Sequence, residues 1–188
     1  QLPLGDGLNR FSHAAFDDDV VRERWEICNG IADGSNDCLA EKGFSFATHT
    51  LPTGIELDVI NLHMDAGGGQ DDNDARAAQV EQLVAFVNDL DTGRPLIVAG
   101  DTNLRPSRES ADDATVLQRL YDGAGVTDSC ALVDCGEDDR IDRVLVRDGA
   151  AAAVQVIGWE VSPRFFEDGE PLSDHDAVVA RLVVTEAP

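Results

Sequence analysis

The sequence predicts a mixed fold, α/β or α+β, organised on a sheet with strands running in both directions. Three observations predict it. Segments with strand character alternate with segments of helical character along the chain. The strand segments are short and apolar or alternating, and Gly, Pro or Asp bound them. The 188 residues are 43% apolar and 27% charged, the make-up of one soluble globular core rather than a disordered chain.

Residues 1–45 hold Gly5, Gly7, Gly30, Gly34 and the run Asp17-Asp18-Asp19, and read as loop with a short helical piece around Val20–Cys28. Ile55, Leu57, Val59, Ile60 and Leu62 then mark a buried strand from Ile55 to Met64, closing at His63. Gly67-Gly68-Gly69 end it as a turn; the Lys and spacing of a phosphate-binding loop are missing. Asp71, Asp72 and Asp74 supply N-cap and first-turn carboxylates for a helix reaching about Leu90, with Val80, Leu83, Val84, Val87 and Leu90 on its apolar face. Pro95 introduces a strand, Leu96–Ala99, ending at Gly100-Asp101. A short helix is predicted over 113–121, strands over Ile141–Val146 and Ala153–Val161, and a last strand over Ala177–Val184, entered through Ser173-Asp174-His175. Trp25 and Trp159 are assigned to the core. No apolar run approaches the roughly 18 residues of a membrane helix, and no basic, then apolar leader opens the chain.

Lys and Arg number 14 and Asp and Glu 37, a net charge of −23. Such a chain repels phosphate backbones and anionic membranes at long range, which disfavours sequence-independent nucleic-acid binding unless a divalent cation recruits phosphate locally. Solubility alone accounts for an excess of this kind. The four cysteines fall into two local pairs, Cys28 with Cys38 and Cys130 with Cys135, without CxxC or zinc spacing. Two short disulfides and a secreted or periplasmic location are expected, against the alternative of four buried thiols; closing the first loop is worth about 2–3 kcal/mol by chain entropy.

Polar residues able to do chemistry recur where predicted strands begin or end: His63, Asp101 and Asn103, Asp142, and Asp174 with His175. Such ends are where sheet folds gather their sites. His13 and His49 have no motif around them. Asp17–Asp19 and Asp71–Asp74 lack the Gly and Glu of a calcium loop, so solvated loops and caps are expected there.

The order of motifs is more specific than any one residue. Asn-Leu-His63, Val-Ala-Gly-Asp101-Thr-Asn103, Arg-Ile-Asp142-Arg-Val-Leu-Val and Leu-Ser-Asp174-His175-Asp follow one another. Together they resemble the endonuclease/exonuclease/phosphatase superfamily, that of deoxyribonuclease I, apurinic endonucleases, inositol-polyphosphate phosphatases and neutral sphingomyelinases. The helix segment Asp74-Ala-Arg76-Ala-Ala-Gln79 is similar as well, and Lys42-Gly43-Phe44 resembles the secreted, sphingomyelinase-like branch. The resemblance implies a four-layer α/β/β/α sandwich and a Mg²⁺-dependent phosphoric ester hydrolase, with Mn²⁺ or Ca²⁺ as alternatives. It implies that Asp101 activates or orients water, Asn103 holds a phosphate oxygen, and His175 acts as base or charge stabiliser oriented by Asp142. Asp174, with Asp101, would bind the metal, and His63 would donate to a phosphate oxygen or the leaving group.

One part of the pattern has no counterpart. Family members open with a strand bearing Asn, a helix, and a strand ending in a metal-binding Glu, and neither Glu41 nor Glu56 is expected to replace that Glu. Residues 1–188 are therefore expected to correspond to the C-terminal two-thirds of one family domain, lacking its first strands, with an N-terminal half, separate or cleaved, as a partner. The expected substrate is a phospholipid head group or small phosphoester. A secreted nuclease and a non-catalytic fragment are the alternatives.

Overall fold

The computed structural model describes residues 7–30, 37–90, 92–162, 165–167 and 170–187. Its main sheet has seven strands: β1 (Ala15–Phe16), β2 (Val21–Arg24), β3 (Gly43–Thr50), β4 (Glu56–His63), β5 (Leu96–Asp101), β6 (Thr127–Asp128) and β7 (Asp142–Arg147). The spatial order is β1-β3-β4-β5-β7-β6, with β2 also on β3. Among the described strands only β4 and β5 run parallel, and the helix α1 (Gln70–Leu90) makes the crossover between them. The helices α2 (Asp113–Ala124) and α3 (Ser129–Leu132) lie between β5 and β7.

Leu62, Leu96, Val98 and Leu145 from the strands pack with Leu83, Val87, Val116, Leu117 and Leu120 of α1 and α2 in one sealed core. Phe44 and Ile60 complete it on β3 and β4. Asp112 caps α2 by accepting from Thr115 N, and Gly125 at φ +64° ends it.

The chain then leaves the main sheet. β8 (Ala152–Ser162) and β11 (Ala177–Glu186) form a long antiparallel pair of their own, and β9 (Phe166–Glu167) pairs with β10 (Glu170–Pro171) in the excursion between them. Of the four layers the resemblance implies, the described residues build a helical layer, a full sheet and a two-stranded piece of a second sheet.

The predicted elements from residue 55 onward are present, within a few residues at their ends. The first 50 residues differ from expectation. The helical piece around Val20–Cys28 is instead strand β2, paired with β3 from Val21↔Phe46 to Arg24↔Gly43. All four β2 residues are exposed, and their charges suit an edge that must not pair further. β3 lies where the sequence reads as loop, although Phe44, Ser45 and Phe46 begin an alternation.

Both expected disulfides form, Cys28–Cys38 and Cys130–Cys135, with Cα–Cα separations of 5.3 and 5.0 Å. No helix among the described residues is long and apolar enough to cross a membrane.

Candidate active site

Register builds the site. His63 is the Cα partner of Asp101, and Asp101 that of Asp142, so the end of β4, the end of β5 and the start of β7 place three predicted residues in one row. Side chains alternate across a strand, and this row points away from the helices. Gly100 makes the close approach possible: at φ +139°, a Cβ there would sit 2.0 Å from Leu62 O on β4. His63 Nε2 lies 3.4 Å from Asp101 Oδ2.

His175 comes to this row from the bend before β11. Its Nδ1 is 2.8 Å from Asp142 Oδ2, and its Nε2 is 3.9 Å from Asp101 Oδ2. A carboxylate accepts, so Nδ1 donates to Asp142, and Nε2 faces Asp101. Asp101, Asp142 and His175 each offer an atom within 4.8 Å of the others, a group able to hold a metal ion. Two carboxylates with one imidazole fit a divalent cation, and the hard oxygens suit Mg²⁺, Mn²⁺ or Ca²⁺. Asp174 stands outside this group, exposed on the bend and accepting from Ser173 Oγ at 3.5 Å. Asp142, expected only to orient His175, stands inside it.

Asn103, expected to hold a phosphate oxygen, lies beside Asp101. At φ +51°, it turns its Nδ2 onto Met64 O (3.0 Å) and Asp101 Oδ2 (3.1 Å), while its backbone N donates to Asp101 Oδ1 at 2.7 Å. Both amide protons are thus committed inside the protein, where they fix the Asp101 carboxylate.

Burial pushes the Asp101 carboxyl up, with Asp142 adding to the rise, against the Asn103 N–H and the two histidines. Burial, then Lys42, pulls His63 below the ordinary histidine value, against Asp101. Burial also pulls on His175, but the hydrogen bond and charge of Asp142 and the charges of Asp101 and Asp174 outweigh it, and its pKa is raised.

The loop after His63 is clamped by residues outside the strand-end motifs. Trp25 Nε1 donates to His63 O (2.7 Å) and Lys42 Nζ to Met64 O (3.2 Å), and Lys42 also pairs with buried Asp37. Arg76, fully buried, donates to Asp65 O and Gly67 O and pairs with Asp113, and Gln79 accepts from Asp65 N. Arg76 and Gln79 of the segment Asp74–Gln79 are therefore clamps for this loop. A buried Arg at helical spacing amid apolar residues was the available signal for Arg76, and Asp37 had none.

A cleft of about 480 Å³ opens beside the row, lined by Arg105, Arg140, Asp142, Asp174, His175 and Asp176. Arg105, just after the Asp101–Asn103 motif, is exposed at this cleft. Arg143, the other arginine near the motifs, turns to the helix side instead, where Asp128 holds it at 2.6 Å. Glu56 sits at the opposite end of β4 paired with Arg94, and Glu41 pairs with Arg24.

The sequence profile of the Endonuclease/Exonuclease/phosphatase family matches residues 11–175. The chain belongs to that family. It is 32% identical over 194 aligned residues to the sphingomyelinases of Mycobacterium tuberculosis and Mycobacterium bovis, an alignment covering 95% of this chain and 37% of theirs. The chain thus spans little more than a third of those relatives. Among solved structures, the endonuclease/exonuclease/phosphatase from Beutenbergia cavernae superposes with a TM-score of 0.65 at 17% identity, over 90% of this chain and 45% of that one. D. rerio TDP2 complexed with a single-strand DNA product superposes with a TM-score of 0.64 at 16% identity, over 88% and 67%. These two likenesses establish the deoxyribonuclease I-like fold.

Proposed function

We propose that this chain carries the water-activating part of a metal-dependent phosphodiesterase that acts on phospholipid head groups, sphingomyelin foremost, outside the cytoplasm. The observation that carries the reading is the His175–Asp142 hydrogen bond, with the free Nε2 turned toward Asp101. The mycobacterial sphingomyelinases support the substrate, and the two disulfides support the compartment.

In this reading His175 takes a proton from the attacking water at Nε2, and Asp142 accepts the Nδ1–H bond and stabilises the imidazolium that results. Asp101, held by Asn103, orients the water. Neutral His63 donates a hydrogen bond to a phosphate oxygen or to the leaving group. Asp101 and Asp142 would hold the divalent ion, Mg²⁺ first, whose chemistry is to neutralise charge on the non-bridging oxygens. Asp174, which lines the same cleft, would add a further carboxylate for the ion.

The net charge of −23 weighs against a nuclease. The half-buried Val59, Ile97, Ala99 and Val144 on the face that bears the row call for cover. The partner that fits is an N-terminal family segment, bringing further strands and the missing acidic ligand.

The test is release of phosphocholine from sphingomyelin vesicles and of nitrophenol from bis-p-nitrophenyl phosphate, with Mg²⁺ or EDTA, beside His175→Ala. Metal-dependent turnover lost in the variant supports a site complete in this chain. Turnover that appears only when the N-terminal part of a full-length relative is added supports the partner. Turnover indifferent to EDTA and to His175→Ala overturns the reading.

A further inference from the structure

We propose that Arg143 is a positioning residue for the Asp142–His175 pair, acting from the opposite face of the same strand. The proposal rests on the reading of that pair given above.

Asp142 and Arg143 are consecutive on β7, so their side chains leave the sheet on opposite faces. Asp142 meets His175 on the open face. Arg143 enters the helix side, where its Nη1 donates to Asp128 Oδ2 at 2.6 Å and its Nη2 to Asp138 O at 2.9 Å. The two charged side chains are 5% and 8% exposed. Asp128 is itself held from two more directions: Tyr121 OH donates to its Oδ2 (3.1 Å), and Cys130 N to its Oδ1 (2.9 Å) as the cap of α3. The fork of one guanidinium therefore ties the start of β7 to the last turn of α2, to the corner stapled by Cys130–Cys135, and to the loop that delivers Asp142.

Stability does not explain this arrangement well. A buried ion pair loses much of its Coulomb energy to desolvation, and apolar residues of the same volume often hold a fold equally well. Arg143 Nε has no hydrogen-bond partner among the described residues, which lowers the return further. What a two-pronged donor supplies is direction. It fixes the strand where Asp142 must present Oδ2 to one histidine nitrogen, and His175, 36% exposed on a bend, has few other anchors.

The test follows the low-field proton of His175 Nδ1 by NMR in the full 188-residue chain, assigned by its loss in His175→Gln. In Arg143→Met, with circular dichroism unchanged, this proton is expected to broaden or vanish. Arg143→Lys, which keeps one charged donor, is expected to restore part of it. Under conditions where the wild type turns over bis-p-nitrophenyl phosphate, kcat in Arg143→Met is expected to fall about 100-fold with KM unchanged. If Arg143→Met does not fold, Asp128→Asn, which keeps the shape and removes the charge, carries the same expectations. An undisturbed resonance in a folded variant overturns the proposal and leaves the His175–Asp142 pair standing. No such resonance in the wild type removes the pair and the proposal together.

Discussion

The main sheet has two faces of opposite character. Against α1 and α2, Phe44, Ile60, Leu62, Leu96, Val98 and Leu145 are each no more than 1% exposed. On the other face Val59, Ile97, Ala99 and Val144 are only half-buried, and His63, Asp101 and Asp142 stand in a row at its end. The sealed face holds the fold, and the open one carries the candidate site. Groups that must meet a substrate cannot be closed over, and a packed layer behind them keeps their register fixed.

The sharpest way to break this comparison is to remove one polar group from each face. His175→Ala on the open face is expected to lower turnover by about 10²–10⁴-fold, while the denaturation midpoint barely moves. Asp113→Ala on the sealed face does the reverse. The Asp113 carboxylate takes Arg76, Arg108, Asn73 Nδ2 and Arg105 N in full burial, so its loss is expected to cost about 3–5 kcal/mol in a denaturant titration. A large stability loss in His175→Ala, or none in Asp113→Ala, would dissolve the distinction.

Acidity probes the open face at smaller amplitude. His175 has a raised pKa, so as a base it is protonated and idle below the ordinary histidine value, and turnover is expected to rise with pH through a midpoint above 6.5. Asp142→Asn removes the chief group holding that pKa up, so the midpoint is expected to move down. The linked stability has the opposite sign. The contribution of the charged His175–Asp142 pair is fully present below the unfolded value and is lost as pH rises through the folded one. A pH–rate midpoint unmoved in Asp142→Asn would detach His175 from turnover.

The finest comparison is one methylene on each face. Ile60→Val is expected to cost about 1 kcal/mol and Ile97→Val less than about 0.5 kcal/mol, read from denaturation midpoints. Equal costs would mean that the open face is packed as tightly as the sealed one. A rise at Ile97 alone, on adding an N-terminal family segment, would show what covers it.

Much of this was legible in the residues because the signals are local. The apolar run to His63, the Asp-rich start of α1, the Gly100-Asp101 strand end and the two close cysteine pairs each lie within one element or loop. The row itself was not legible. That His63, Asp101 and Asp142 are register partners depends on pairing between strands 38 and 41 residues apart, and no local pattern states which residues will face each other. For the same reason β2 passed for a helix: its exposed charges have no periodicity, and only the edge of β3 makes it a strand. Arg143 follows Asp142 directly in sequence, yet strand alternation sends it to the helix side, where Asp128 holds it. The sequence by itself determined which side chains are candidates for the site and roughly where each strand ends, since residue type and local hydrophobicity are written residue by residue. The tertiary structure alone decided which of them meet, because long-range pairing and burial set the distances, the protonation and the partners on which the chemistry depends.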